Sequence, residues 1–148
     1  MSPARESAEQ THNKDLQNPP VRLHVRLPPF ESGPKEWCRA IHRALRERCS
    51  HLRYAKTDRL SVKVRVYLPR ARWNRIDVDN ALKQVMDALQ GAVGGEGKKG
   101  AREPVLIPED AQIYRAEIAK TRTKKSMQGG YIVIQRLPGK HRRVGRRV

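Results

Sequence analysis

The chain has 148 residues, with 32 Lys or Arg against 15 Asp or Glu and a formal charge of +17. That length suits one domain with a modest core, and so large a cationic excess repels itself unless a polyanion neutralises it, nucleic acid being the common partner. No apolar run reaches spanning length, no basic amphipathic anchor occurs, and the polar start MSPARESAEQTHNKDLQNPP holds no signal segment, so a cytoplasmic protein that stays off membranes is expected.

Residues 1–20 are polar, end in two prolines, and read as a disordered N-terminal arm. Val21, Leu23, Val25 and Leu27 then alternate with Arg22, His24 and Arg26, the period of a half-buried strand, which Pro28 and Pro29 end. Pro34 opens a helix with Trp37, Ile41, Ala44 and Leu45 on one face. On that helix Cys38 and Cys49 lie about 16 Å apart along the axis, too far for a disulfide, and both are expected as thiols. With His42 and His51 they match no usual zinc spacing. Leu60, Val62, Val64, Val66 and Leu68 form the clearest alternating strand, which Pro69 stops before the basic loop RARWNRI.

A second helix is predicted from a cap at Asp79 or Asn80, with Leu82, Val85, Met86 and Leu89 as its apolar stripe. Residues 91–104 read as a flexible glycine-rich loop, strands are predicted near 111–120 and 131–136, and 137–148 form a basic tail. The domain thus covers 21–136, in the order β-α-β-α-β-β and without internal repeats. Two helices on a small mixed four-stranded sheet satisfy that order, an α/β (α+β) fold of two layers.

The candidate chemistry lies in the acids. Four of the six aspartates are Asp77, Asp79, Asp87 and Asp110, the first three within IDVDNALKQVMDAL. On an extended segment Asp77 and Asp79 point the same way. Two adjacent carboxylates on a polyanion-binding protein repel DNA unless a cation lies between them. Hard divalent ions, magnesium above all with manganese as a substitute, take such ligands and keep places for water and phosphate, as metal-assisted phosphodiester hydrolysis requires. Lys83, four residues on, faces the same side and can hold a carboxylate or serve a scissile phosphate. Glu109 and Asp110 supply a second acidic pair. The plain alternative is an N-cap followed by a solvated Asp79, Lys83, Asp87 ladder worth a few tenths of a kcal/mol per pair. The basic loop beside the acids shifts the balance toward a site, with Arg70, Arg72, Trp73 and Arg75 as candidate DNA contacts. Lys98 and Lys99 extend that set. Their run GAVGGEGKKG follows a helix and lacks the Ser or Thr of a phosphate loop. Trp37 reads as core, Phe30 as core or base contact, and the histidines have no triad-like context.

The string Asp77-Val-Asp79-Asn80-Ala-Leu-Lys83-Gln-Val-Met-Asp87-Ala88-Leu89, followed by Glu109-Asp110-Ala111-Gln112-Ile113, resembles the two acidic motifs of RusA-type Holliday junction resolvases. The resemblance runs over roughly residues 21–136. It implies a homodimer that nicks four-way DNA junctions in pairs during recombination and repair. It also implies a magnesium site from Asp77, Asp79 and Asp110, with Lys83 as a further catalytic residue. Ile76 stands where the family often has arginine, Glu109 where it has aspartate, and the 91–107 loop is long. Two rivals remain: a non-catalytic basic nucleic-acid binder, and a metal nuclease for flaps or single strands.

Overall fold

The computed structural model describes residues 16–30, 33–91, 105–124 and 128–139. In chain order the elements are β1 (Arg22–Leu27), α1 (Pro34–Cys49), β2 (Leu60–Leu68), a 3-10 turn (Arg70–Arg75), α2 (Val78–Leu89), a short 3-10 turn (Asp110–Gln112), β3 (Ile113–Arg122) and β4 (Gly129–Arg136). This is the mixed four-stranded α+β fold expected, with the two short turns added.

The alternation in β2 does what its period dictates. Leu60, Val62, Val64, Val66 and Leu68 are buried, whereas Ser61, Lys63, Arg65 and Tyr67 face the other way. The buried set meets Val25 and Leu27 of β1, Ile132 and Ile134 of β4, Trp37, Ile41 and Leu45 of α1, and Ala81, Val85 and Leu89 of α2 in one core. Both helices therefore cover the same face of the sheet. The stripe of α2 is rotated from its sequence reading: Ala81 and Ala88 are buried, and Leu82 and Met86 only half so. Small residues sit where α2 meets its neighbours closely, and the larger side chains fill the flanks. In α1 the thiols of Cys38 and Cys49 join the buried face and are not joined in a disulfide.

The strand order is β1-β4-β2-β3. β4 runs antiparallel to both β1 and β2, and β2 runs parallel to β3. A parallel pair needs a crossover, here made through α2. The last strand is thus inserted between the first and second. Gly129 and Gly130, at φ 118° and 142°, open that insertion. A Cβ on Gly130 would stand 1.9 Å from the Arg65 carbonyl oxygen, so only glycine fits there.

The segment expected as a free arm is docked at its end. Gln17 bridges Leu52, and the Pro19 carbonyl accepts from Arg136 at 2.6 Å. Residues 1–15 and 140–148 lie outside the described residues. Arg136 ends β4, where its Nε is 3.5 Å from Asp58 and its guanidinium lies 5.7 Å from the Tyr54 ring centroid.

Candidate functional site

The basic loop after β2 is a 3-10 turn, and its arginines divide. Arg70 and Arg75 are exposed. Arg72 turns back, its Nη1 donating to the Phe30 carbonyl at 3.3 Å. Trp73 is half-buried against the core, with Lys120 Nζ 4.5 Å and the Arg122 guanidinium 5.3 Å from its ring centroid. Lys120 also donates to the carbonyls of Trp73 and Ile76, at 2.9 and 3.0 Å. Those bonds pin the turn to β3. Phe30 settles in the core, edge-on to Trp37, whose indole N–H donates to the Pro28 carbonyl. Lys98 and Lys99 lie outside the described residues.

Ile76 is buried and anchors the chain just before α2. The N-cap of α2 is Asp77, not Asp79 or Asn80. Asp77 keeps extended backbone while Asp79 is already helical, so the two do not alternate as strand neighbours. Both carboxylates are exposed. Asp77 makes no side-chain cap hydrogen bond, and neither carboxylate has a hydrogen bond or ion pair among the described residues. They sit at the positive end of the helix dipole, which favours anions, beside the exposed Arg75.

Lys83 does not turn to Asp79. Its Nζ is 3.1 Å from Asp87 Oδ2, in a helical i, i+4 pair. Asp110 lies at the far end of α2, where the buried Gln90 side chain donates to its carboxylate. Asp79 and Gln90 are eleven residues apart on this helix, about 16 Å along its axis. β3 agrees: Ile76 is tied to Lys120 near its end, while Asp110 precedes its start, about 23 Å away at strand rise. One chain therefore brings Asp77 and Asp79 together and leaves Asp110 apart. Among the described residues no group of three or more His, Cys, Asp or Glu is placed to hold a metal ion. The Asp77–Asp79 pair still suits magnesium, which takes one or two carboxylates and completes its shell with water and phosphate oxygens. Asp110 does not fit that site within one chain.

Two glutamines at the second acidic motif escaped the sequence reading. Gln112 is buried; its Nε2 donates to the carbonyls of Ala55 and Asp58 at 2.8 and 3.0 Å, and its Oε1 accepts from Glu109 N–H at 3.0 Å. Its place between an acidic pair and a strand was the only available sign. Gln90 follows directly on the apolar end of α2, a polar residue at a core position. Glu109 itself reaches Lys56, at 3.8 Å, rather than an aspartate. In the Cys38, His42, Cys49, His51 set, burial pushes the Cys49 thiol up from its ordinary value, partly offset by Arg48.

No family model matches this chain, and no curated protein matches it. Among the described residues no helix is long and apolar enough to cross a membrane.

Proposed function

We propose that this protein is a magnesium-dependent endonuclease for branched DNA, acting on four-way junctions in recombination and repair, in the cytoplasm of a bacterial cell or as a phage product. The observation that carries the reading is the pair of unengaged, exposed carboxylates of Asp77 and Asp79 at the start of α2, next to exposed Arg70 and Arg75. Carboxylates set in the path of an approaching phosphate repel it unless a cation intervenes. Magnesium held by Asp77 and Asp79 would supply Lewis-acid polarisation of a phosphoryl oxygen and a water of lowered pKa. Arg70 and Arg75 would seat the flanking phosphates, fixing the backbone without reading sequence.

The position of Asp110 bears on the homodimer. A two-fold axis across α2 sets the helix antiparallel to its copy, so the start of one helix faces the end of the other. With that axis perpendicular to α2 near its middle, the separation of about 16 Å within one chain would become proximity across two, Asp110 of the second copy lying toward Asp77 and Asp79. Two such composite sites suit the paired scissile phosphates of a four-way junction.

The test is a panel of labelled junction, fork, flap, single-stranded and linear duplex DNAs, incubated with magnesium and with EDTA. Junction cleavage that needs the metal and disappears in Asp79→Asn is expected. Equal cleavage of flaps or single strands moves the substrate; a correctly folded protein that binds junctions and cuts none of the panel leaves only the binder.

A further inference from the structure

The helices cover one face of the sheet, and among the described residues nothing covers the other. That open face carries the alternate residues of every strand, and the register places them in rows. Tyr131 of β4 lies between Arg26 of β1 and Arg65 of β2. Val133 lies between His24 and Lys63, and Gln135 between Arg22 and Ser61. On the β3 side Ser61 pairs with Arg115 and Lys63 with Glu117. In these rows Arg22, Arg26, Lys63, Arg65 and Arg115 face a single acid, Glu117.

Three rings run through this cationic field. His24 stacks on Tyr131, with centroids 5.1 Å apart at 26°, and Tyr67 meets Tyr131 edge-on at 6.3 Å. All three keep solvent exposure. Arg65 is steadied by donating to Thr121 Oγ1 at 3.0 Å. His24, Arg26, Tyr67 and Tyr131 also line one side of a groove of about 820 Å³, which Ala44, Glu47 and Arg48 of α1 border as well, within the range of ligand clefts.

We infer that this face is a second nucleic-acid site, which binds single-stranded DNA by stacking unpaired bases on Tyr131 and its neighbouring rings while the arginines hold the backbone. Charge complementarity selects a polyanion. The rings then select single strands, because bases in a duplex are already stacked and offer no free π-face. The choice of DNA over RNA rests on the nuclease reading. The site lies on the sheet face opposite the helices, so a single-stranded arm and the metal site would engage different parts of the surface.

The experiment measures binding of labelled oligothymidylate to the full chain by fluorescence anisotropy in EDTA, with a duplex of equal length beside it. Tyr131→Leu keeps apolar bulk and removes the flat ring; Tyr131→Phe restores the ring. Expected is a loss of about tenfold for oligothymidylate in Tyr131→Leu, the scale of one stacked base. Tyr131→Phe should bind as the parent, and the duplex should be nearly unaffected in both. A merely structural cross-strand pair would lower the melting temperature and leave affinity alone. Parental oligothymidylate affinity in folded Tyr131→Leu overturns the proposal, as does an equal loss for duplex, and preference for oligouridylate overturns the assignment to DNA. Oligothymidylate binding is read in EDTA, without the metal that cleavage needs, so failed cleavage and a failed platform are told apart.

Discussion

At the scale of single residues, an engaged side chain and a free one invite different expectations. Asp77 and Asp79 have no hydrogen bond or ion pair among the described residues, and asparagine caps a helix as well as aspartate does. Asp77→Asn and Asp79→Asn should therefore melt as the parent does and bind junction DNA equally or more tightly. Both should lose at least about a hundredfold in single-turnover cleavage, since metal charge stabilisation amounts to several kcal/mol. Parental cleavage by a folded Asp79→Asn would falsify the site. Lys83 is already engaged with Asp87, an exposed pair worth about 1 kcal/mol at most. Lys83→Ala should then leave melting nearly unchanged, and its cleavage rate decides between a surface pair and a group that serves the phosphate. Tyr54 poses the opposite case. It is 1% exposed, and its hydroxyl has no hydrogen-bond partner among the described residues; burial pushes its ionisation well above the usual tyrosine value. Tyr54→Phe removes an unsatisfied group at constant shape, so stability by urea unfolding should hold or rise.

At the scale of elements, the sheet depends on two devices that carry no charge. β4 reaches its place between β1 and β2 through Gly130, and a methyl group there meets backbone rather than a yielding side chain. Gly130→Ala should cost about 3 kcal/mol or more in urea unfolding; a loss under about 1 kcal/mol would show that the strand can shift to make room. Gln112 ties the start of β3 to the 55–58 segment that leads into β2. Gln112→Ala leaves two carbonyls without that donor and should cost about 1–3 kcal/mol. Because Asp110 is two residues away, the same substitution should also disturb the Gln90–Asp110 contact.

At the scale of the whole molecule, the proposed function together with a charge of +17 predicts that phosphate contact is the main source of affinity for DNA. Log K against log salt should fall with a slope of about −0.9 per phosphate neutralised, and a nearly flat response would exclude this mode. Deletion of 137–148 should weaken binding to all DNA shapes about equally, because a basic tail reads charge rather than shape. The composite site has its own test. Mixed Asp79→Asn and Asp110→Asn subunits should recover cleavage that neither variant shows alone, since one of the two shared sites in the mixed dimer is intact. No recovery in a confirmed mixed dimer would show that the site is not shared between subunits, and parental cleavage by Asp110→Asn alone would place Asp110 outside the site.

What the sequence determined by itself was local. Alternation in 60–68, the helical spacing of Trp37, Ile41 and Leu45, and the prolines at 28, 34 and 69 set the type and order of the elements, because side-chain direction follows from backbone period. The adjacency of Asp77, Asp79 and the basic turn was legible for the same reason, being a matter of a few residues along the chain. The place of Asp110 was not. β3 pairs parallel to β2, so the helix between them runs back along the sheet, and a residue just before β3 meets the end of α2 rather than its start. Nor could local pattern show that β4 enters between β1 and β2. That pairing alone puts Tyr131 between Arg26 and Arg65, and rings scattered over the sequence become one surface only once the register is set.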